Sequence, residues 1–318
     1  MDVTFTAEQD ALRAAVRDLL ADRCGIDHVR DVMESETGAD LDLYRRLVEV
    51  GAAELPGALE LGIVLEECGR AVAPTPAVSA LGIAVPALEA AGADELLAAA
   101  RGGEAIPVMA LDPDHVVEGH VATHLLFVEG GELIAAEAAQ CEIAPLATMD
   151  LTRRMARVRR NGGSAVGDAV AALRAVERTG TVAVSHELVG VGQIALERGL
   201  AHAKGREQFG KPIGTYQAVS HRLVDSFIAV ECARSLAYYA AWAIDADTPD
   251  ADLAASQAKA SAAEGAVLAA RHVLQVHGGI GMTWEADLHL FLKRAHSGAA
   301  LLGTASQHRR RIADLIGV

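Results

Sequence analysis

The sequence predicts a mainly helical protein with one small β module between two helical regions. Three observations point that way. Ala, Leu, Val and Gly dominate, while aromatic residues make up only 3% of the chain. Such a composition suits closely packed helices, because Ala and Leu form helices readily and small side chains let them approach. Apolar residues recur at helical spacing over long stretches towards both ends. Between these stretches, from Ile106 to about Arg160, the texture changes to short apolar runs broken by turn residues.

Taken in order, residues 6–23 read as an amphipathic helix. Thr6 can cap it, Gln9 follows three residues on as in a capping box, and Leu12, Val16, Leu19 and Leu20 form one apolar stripe. Helical patterns continue at 41–50, 58–73, 76–90 and 93–101, punctuated by Gly69 and the Pro74-Thr75-Pro76 turn. Strands are expected at 106–111, 124–129 and 132–135, with Gly130-Gly131 as a hairpin turn. A further strand over 153–160 brings the module to roughly fifty residues. Long helical segments then run over 168–205, 216–246, 250–277, 284–300 and 304–316, with turns at 210–214 and 278–281. Helices of such length with short connections pack as an antiparallel bundle. The expected domains are 1–105, 106–165 and 166–318.

Charge and composition narrow the function. A net charge of −15 over 318 residues argues against a nucleic-acid partner, since phosphates would be repelled. Cys24, Cys68, Cys141 and Cys232 are widely spaced, which suits reduced, mostly buried thiols rather than disulfides or a metal site. No basic region precedes an apolar run at the N-terminus, and the Ala-rich stretches all carry charges within a membrane-length window. The expectation is a cytoplasmic protein with no membrane span.

Two segments can carry chemistry. In Arg206-Glu207-Gln208-Phe209-Gly210-Lys211-Pro212-Ile213-Gly214 a helix ends at about Gly205, and Arg206 presents a planar cation suited to a diphosphate. Thr215 is placed to cap the next helix, with Gln217 in its first turn. Read without further context, this is a helical corner with a surface Arg. In Gln275-Val276-His277-Gly278-Gly279 a helix ends in paired glycines, which let the backbone turn and a ligand approach without meeting a Cβ. Gln275 offers both donor and acceptor. Alone, such a pair reads as an ordinary C-cap, and His277 as a packed helix-end residue.

Their order and spacing, with Ile280-Gly281-Met282-Thr283-Trp284-Glu285 and a later Leu302-Gly303-Thr304, resemble the C-terminal domain of the acyl-CoA dehydrogenase flavoproteins. The likeness is close over 185–304 and looser over 1–105, where Gly62-Ile63-Val64-Leu65-Glu66-Glu67-Cys68-Gly69-Arg70 echoes the family's N-terminal helices. Thr148-Met149-Asp150-Leu151-Thr152-Arg153-Arg154 is similar to the strand leading into the C-terminal domain. The resemblance implies the three-part family fold and FAD as cofactor, gripped across a subunit interface. Carried over, Arg206 contacts the FAD diphosphate, while Gln208, Phe209 and Gln217 lie against the adenosine half. Gln275, Val276, His277, Gly278 and Gly279 lie beside it, and Thr304 completes the cofactor-binding set.

The departures matter as much. The family's familiar base is a Glu directly before Gly-Thr, and here that position is Leu302. The other base position falls about seven turns before Arg206, near Gly180, again without a carboxylate. The middle module is short, and the Gly- and Ser-rich loop that serves the flavin ring does not follow Ala110-Leu111-Asp112-Pro113. The chain therefore resembles the degenerate subunit of α2β2 acyl-CoA dehydrogenases of actinobacterial steroid catabolism. A second family subunit would supply the base, the substrate would be an acyl-CoA, and an electron-transfer flavoprotein or similar acceptor would take the electrons. Two alternatives stay open: a homo-oligomeric dehydrogenase with Glu177 as a displaced base, and a flavin-free structural or regulatory relative. The run Arg153, Arg154, Arg157, Arg159 and Arg160 suits either CoA phosphates or a salt-bridging strand. Trp284, Glu285, Asp287 and His289 read as a packed aromatic and acids at a helix start.

Overall fold

The computed structural model describes residues 4–318. Helix α1 (Ala7–Arg23) begins as the sequence indicates. Gln9 N donates to Thr6 Oγ1 at 3.2 Å, and Thr6 N donates to Gln9 Oε1 at 3.0 Å. Next come α2 (Ile26–Glu34), α3 (Leu41–Glu49) and α4 (Ala58–Ala71). A π-helical segment, Ala77–Ala84, runs into α5 (Val85–Ala91), and α6 (Asp94–Arg101) ends the first helical region. Helix α2 was not anticipated. Gly25 gives it no side-chain cap, and over nine residues only Val29 and Met33 are fully buried, with Ile26 partly so, a short stripe to read as a period.

The β module holds β1 (Pro107–Met109), β2 (Val116–Val117), β3 (His124–Glu129), β4 (Glu132–Glu137), β5 (Cys141–Leu146), β6 (Met155–Arg160) and β7 (Ser164–Asp168). One sheet runs β1-β3-β4-β7 and the other β2-β6-β5. Strand β1 is parallel to β3, and β3 and β4 form the antiparallel hairpin around Gly130 and Gly131. The module packs on its own small core of Val108, Leu125, Phe127 and Val158. Four of its five arginines are tied down at the module's surface and against the first helical region. Arg157 and Arg159 meet Asp114, Arg160 meets Glu129, and Arg154 donates to the carbonyls of Met33, Ser35 and Glu36.

The last region comprises α7 (Ala169–Ala175), a π-helical turn Val176–Gly180, and α8 (Thr181–Gly205). After a ribbon of β8 (Glu207–Gln208) and β9 (Lys211–Pro212) come α9 (Gln217–Asp245), α10 (Ala251–His277), α11 (Leu288–Ala300) and α12 (Ala305–Ile316). Helix α10 packs along α8 and α9 through a face of alanines, including Ala255, Ala258, Ala262, Ala266 and Ala270. The same apolar cluster continues into α3, α4 and α5, so both helical regions share one core. Helices α4 and α8 meet backbone to backbone. A Cβ on Gly69 would lie 2.1 Å from the Glu187 carbonyl oxygen, and one on Gly190 would lie 2.0 Å from that of Glu66.

Three details differ from expectation. The N-cap of α9 is Tyr216, because Thr215 Oγ1 is turned back to the Pro212 carbonyl at 2.7 Å. Residues 284–287 form a turn ahead of α11, where Asp287 spends its carboxylate on Arg30 and Arg198 instead of capping. Cys232 is exposed, unlike buried Cys24 and Cys68.

Candidate functional site

Helix α8 stops at Gly205, and Arg206 is its C-cap in extended backbone. The chain then reverses through Phe209 (φ 54°) and Gly210 (φ 78°), both left-handed, the two-residue hairpin turn whose twist matches its strands. This turn pushes Phe209 outward until it is 94% exposed. Tyr216 braces the ribbon: its hydroxyl donates to the Gln208 carbonyl at 3.1 Å, its ring meets Phe209 edge-on, and Lys211 lies over its face. The Arg206 guanidinium has no ion pair or side-chain hydrogen bond among the described residues. Gln208 and Gln217 are exposed on the same ribbon and helix start.

The second segment lies beside the first. At the end of α10, His277 stacks on His202 of α8 with ring centroids 3.9 Å apart, one helical turn from Arg206. Burial, then His277 and Arg206, hold the His202 imidazole below its ordinary pKa, so that ring is neutral at pH 7. Gln275 is exposed, and Gly278 adopts φ 66°, ψ −141°, which only glycine enters freely. Around Gly210, Gly278 and Gly279 a Cβ would meet nothing within 4 Å. Val276 has its side chain buried in the core, so what it offers a ligand is backbone. Thr304 is placed elsewhere: it caps α12, its hydroxyl and N–H both bound to Gln307.

The residues present fit an FAD held from outside the chain. A free guanidinium, an exposed aromatic and open glycine backbone face solvent together, and Ile280 and Met282 add exposed apolar surface. They offer grips for a dinucleotide at an interface. The ring side of the fold is different. The turn after β1 closes on itself, with Asp114 N and the His115 ring both bonded to the Asp112 carboxylate, at 3.0 and 2.9 Å. It presents no hydroxyl-rich loop.

The two positions where the resemblance places a base face each other. A Cβ on Gly180 would lie 3.3 Å from Leu302 Cδ1. Leu302 is in left-handed backbone (φ 55°), held by buried Lys259, whose ammonium donates to the carbonyls of Ala299 and Gly303 at 3.1 and 2.9 Å. His308 meets the Leu302 carbonyl at 2.9 Å. Leu302 forms one wall of a cavity of about 300 Å³ with Ile83, Val108, Met109, Met155 and Leu301, and Asp112 and His115 stand at its rim. Glu177 does not line it. That side chain is 55% exposed and paired with Arg311 at 3.0 Å.

Behind this cavity lies a buried ion network that the sequence did not reveal. Arg294, 1% exposed, donates to Asp150 at 3.1 Å, to Glu187 at 2.9 Å and to the Thr152 carbonyl at 2.8 Å. Arg153 pairs with Glu187, and Ser79 donates to Glu118. Two guanidiniums thus face three carboxylates. Burial pushes the Glu118 carboxyl up to about 7, against the opposing pull of Arg153 and the Ser79 hydrogen bond. The signal in sequence is thin: one Glu in His115-Val-Val-Glu-Gly-His120, and Arg153 at the start of an arginine run.

A mainly helical chain with these two helical regions and this middle module has the acyl-CoA dehydrogenase fold. The family model for "Acyl-CoA dehydrogenase, C-terminal domain" matches residues 168–317. The chain is 36% identical over 98% of its length to "Acyl-CoA dehydrogenase IpdE2" of Mycobacterium tuberculosis, of which 98% is covered. Among solved structures, the "Tcur3481-Tcur3483 steroid ACAD G363A variant" superposes with a TM-score of 0.89 at 27% identity, covering 98% of each chain. The "ChsE4-ChsE5 complex from Mycobacterium tuberculosis" gives 0.88 at 26% identity, covering 100% of this chain and 99% of that one. The chain belongs to the acyl-CoA dehydrogenase family, oxidoreductases that act on the CH–CH bond of acyl-CoA thioesters with FAD as cofactor.

Proposed function

We propose that this chain is the base-free subunit of a heteromeric, FAD-dependent acyl-CoA dehydrogenase. One observation carries the reading: Leu302 and Gly180, the two positions where the resemblance places a carboxylate, face each other, and no unpaired carboxylate lines the cavity that Leu302 bounds. Removing an α proton from a thioester needs a positioned base, and an isobutyl group has no proton chemistry. A second family subunit, in an α2β2 assembly, would supply the base and the flavin-ring pocket.

The role of this chain is to bind and orient. Arg206 would pair with the flavin diphosphate of the neighbouring subunit, with Gln208, Phe209 and Gln217 against the adenosine half and Gln275 to Gly279 beside it. When bound, the flavin would accept the β hydride while the partner's base takes the α proton, giving a 2-enoyl-CoA, and an electron-transfer flavoprotein or similar acceptor would take the electrons. The likeness to a steroid ACAD supports a steroid-derived acyl-CoA as the substrate, and a cytoplasmic setting belongs to the same reading. Glu177 as a displaced base is disfavoured by its ion pair with Arg311.

The test is a visible spectrum. Expressed alone, the chain should be colourless or poorly soluble; co-expressed with a family partner, it should give a yellow complex. A stable, stoichiometrically FAD-loaded and active homo-oligomer would overturn the reading.

A further inference from the structure

Helices α8 and α10, 25 and 27 residues long, end side by side at the proposed cofactor grip. Each leaves last-turn carbonyls without a helical partner there, and its axis carries partial negative charge at that end. A doubly anionic diphosphate would be repelled by two such ends unless cations intervene. Arg206 answers one of its charges. Lys211 lies over the Tyr216 ring, its ammonium 4.4 Å from the centroid.

The stacked His202–His277 pair stands where a second charge is wanted. His277 directly precedes Gly278 and Gly279, and His202 lies one turn before Arg206. Both rings are half-buried and nearly parallel, 22° apart in plane with centroids at 3.9 Å. His277 Nδ1 donates to the Val273 carbonyl at 2.8 Å, which fixes that ring against the end of α10. The His202 ring has no hydrogen bond among the described residues, so either of its nitrogens can meet an acceptor. Two groups act on its charge, His277 from α10 and Arg206 from the end of its own helix. No carboxylate does, nor any group of α9 or the β8–β9 ribbon. Nothing in the chain therefore favours a proton on His202. A neighbouring anion would.

We propose that His202, stacked on His277, is a proton-linked part of the cofactor grip and takes up a proton as the FAD diphosphate settles beside Arg206. The inference rests on the reading that Arg206 meets that diphosphate. Before binding, burial, His277 and Arg206 hold the imidazole below its ordinary value; the diphosphate raises it, so binding and protonation favour each other. FAD should then bind more tightly at lower pH. The Kd rises with pH between the free and the bound titration of His202, by at most about tenfold per pH unit, and is level on either side.

The experiment uses the complex with its partner subunit, freed of flavin, and calorimetric titration with FAD in buffers of different ionisation enthalpy. The dependence of the heat on buffer counts the protons taken up. At pH 7 the unaltered complex should take up about half a proton or more, and its Kd should rise about threefold or more from pH 6 to 8. His202→Phe keeps a ring in the stack but cannot titrate, so the uptake should fall to about a third or less and the slope should flatten. His202→Lys, charged throughout, should lose the slope while keeping tight binding at pH 8, and it carries the test should the Phe variant fail to assemble. No uptake in the unaltered complex, or an uptake that survives the substitution, would refute the His202 role alone, provided Arg206→Ala still weakens FAD. Unchanged FAD affinity in Arg206→Ala would remove the diphosphate from this end of the fold, and this proposal with it.

Discussion

Replacing Arg206 with Ala isolates the proposed grip on the cofactor from the stability of the fold. The guanidinium makes no ion pair or side-chain hydrogen bond among the described residues, and it caps α8 through backbone alone. Its loss should leave the melting temperature of the cofactor-free complex unchanged within about 1 °C, as for surface substitutions remote from structural features. A charge-assisted contact to a diphosphate is worth about 1.5–3 kcal/mol. At about 1.4 kcal/mol per factor of ten, the Kd for FAD should rise roughly 10- to 150-fold. The assay is recovery of free-flavin fluorescence on dilution of the yellow complex. Arg206→Lys should recover part of the loss, since an ammonium keeps the charge and loses the fork. An unchanged Kd in Arg206→Ala, with the fold intact, would refute the contact.

Three further outcomes follow from the geometry. Glu177→Gln should leave turnover of the complex nearly intact, whereas replacing the partner's base should cost about 10²–10⁴-fold; a loss of that size in Glu177→Gln, with flavin bound, would place the base in this chain. Arg294→Met leaves Asp150 and Glu187 buried with fewer donors, so chemical denaturation should show a loss of about 3–5 kcal/mol, and a change under 1 kcal/mol would contradict the network's role. Glu118 holds its proton up to about pH 7 in the fold but only to its ordinary value of 4.5 when unfolded. Its contribution to stability is therefore complete below pH 4.5 and falls as pH rises to about 7, by an amount on the order of 3 kcal/mol. Arg153, Arg294, Glu187 and Tyr44 are the charged or titratable groups coupled to it. Melting curves of Glu118→Gln should be flatter across that window, and an unchanged pH slope would count against the buried proton.

What the sequence made legible was whatever repeats or follows local rules. The capping box at Thr6, the hairpin at Gly130-Gly131 and the long helices α8 to α10 all rest on spacing within a few residues. The short pieces escaped. Strand β5 has no fully buried side chain, only partly buried Cys141, Ile143 and Leu146, and it contains Pro145, so its apolar signal is weak, and β2 is only two residues long. The Arg206 and Gly278 segments were visible as motifs, but their adjacency depends on α8 and α10 lying side by side, over seventy positions apart in sequence. Glu118 was invisible for a related reason. Its chemistry comes from Ser79, Tyr44 and Arg153, brought together from three distant parts of the chain.

The crossing of α4 and α8 at Gly69 and Gly190 dictates where charge in the interior can go. Each glycine rests against the carbonyl of a glutamate on the opposite helix, Glu187 and Glu66. Two helices pressed that close leave no channel for solvent, so both carboxylates are stranded in dry protein at 1% and 3% exposure. Each must then import its own counter-ions. Glu187 draws Arg153 from the β module and Arg294 from α11, and Glu66 draws Arg234 and the Tyr238 hydroxyl from α9. A missing methyl group at two positions thereby recruits four side chains from three other parts of the molecule. Widening that single contact, as Gly69→Ala would, should loosen the mutual placement of the β module and the bundle, and with it the cavity they share.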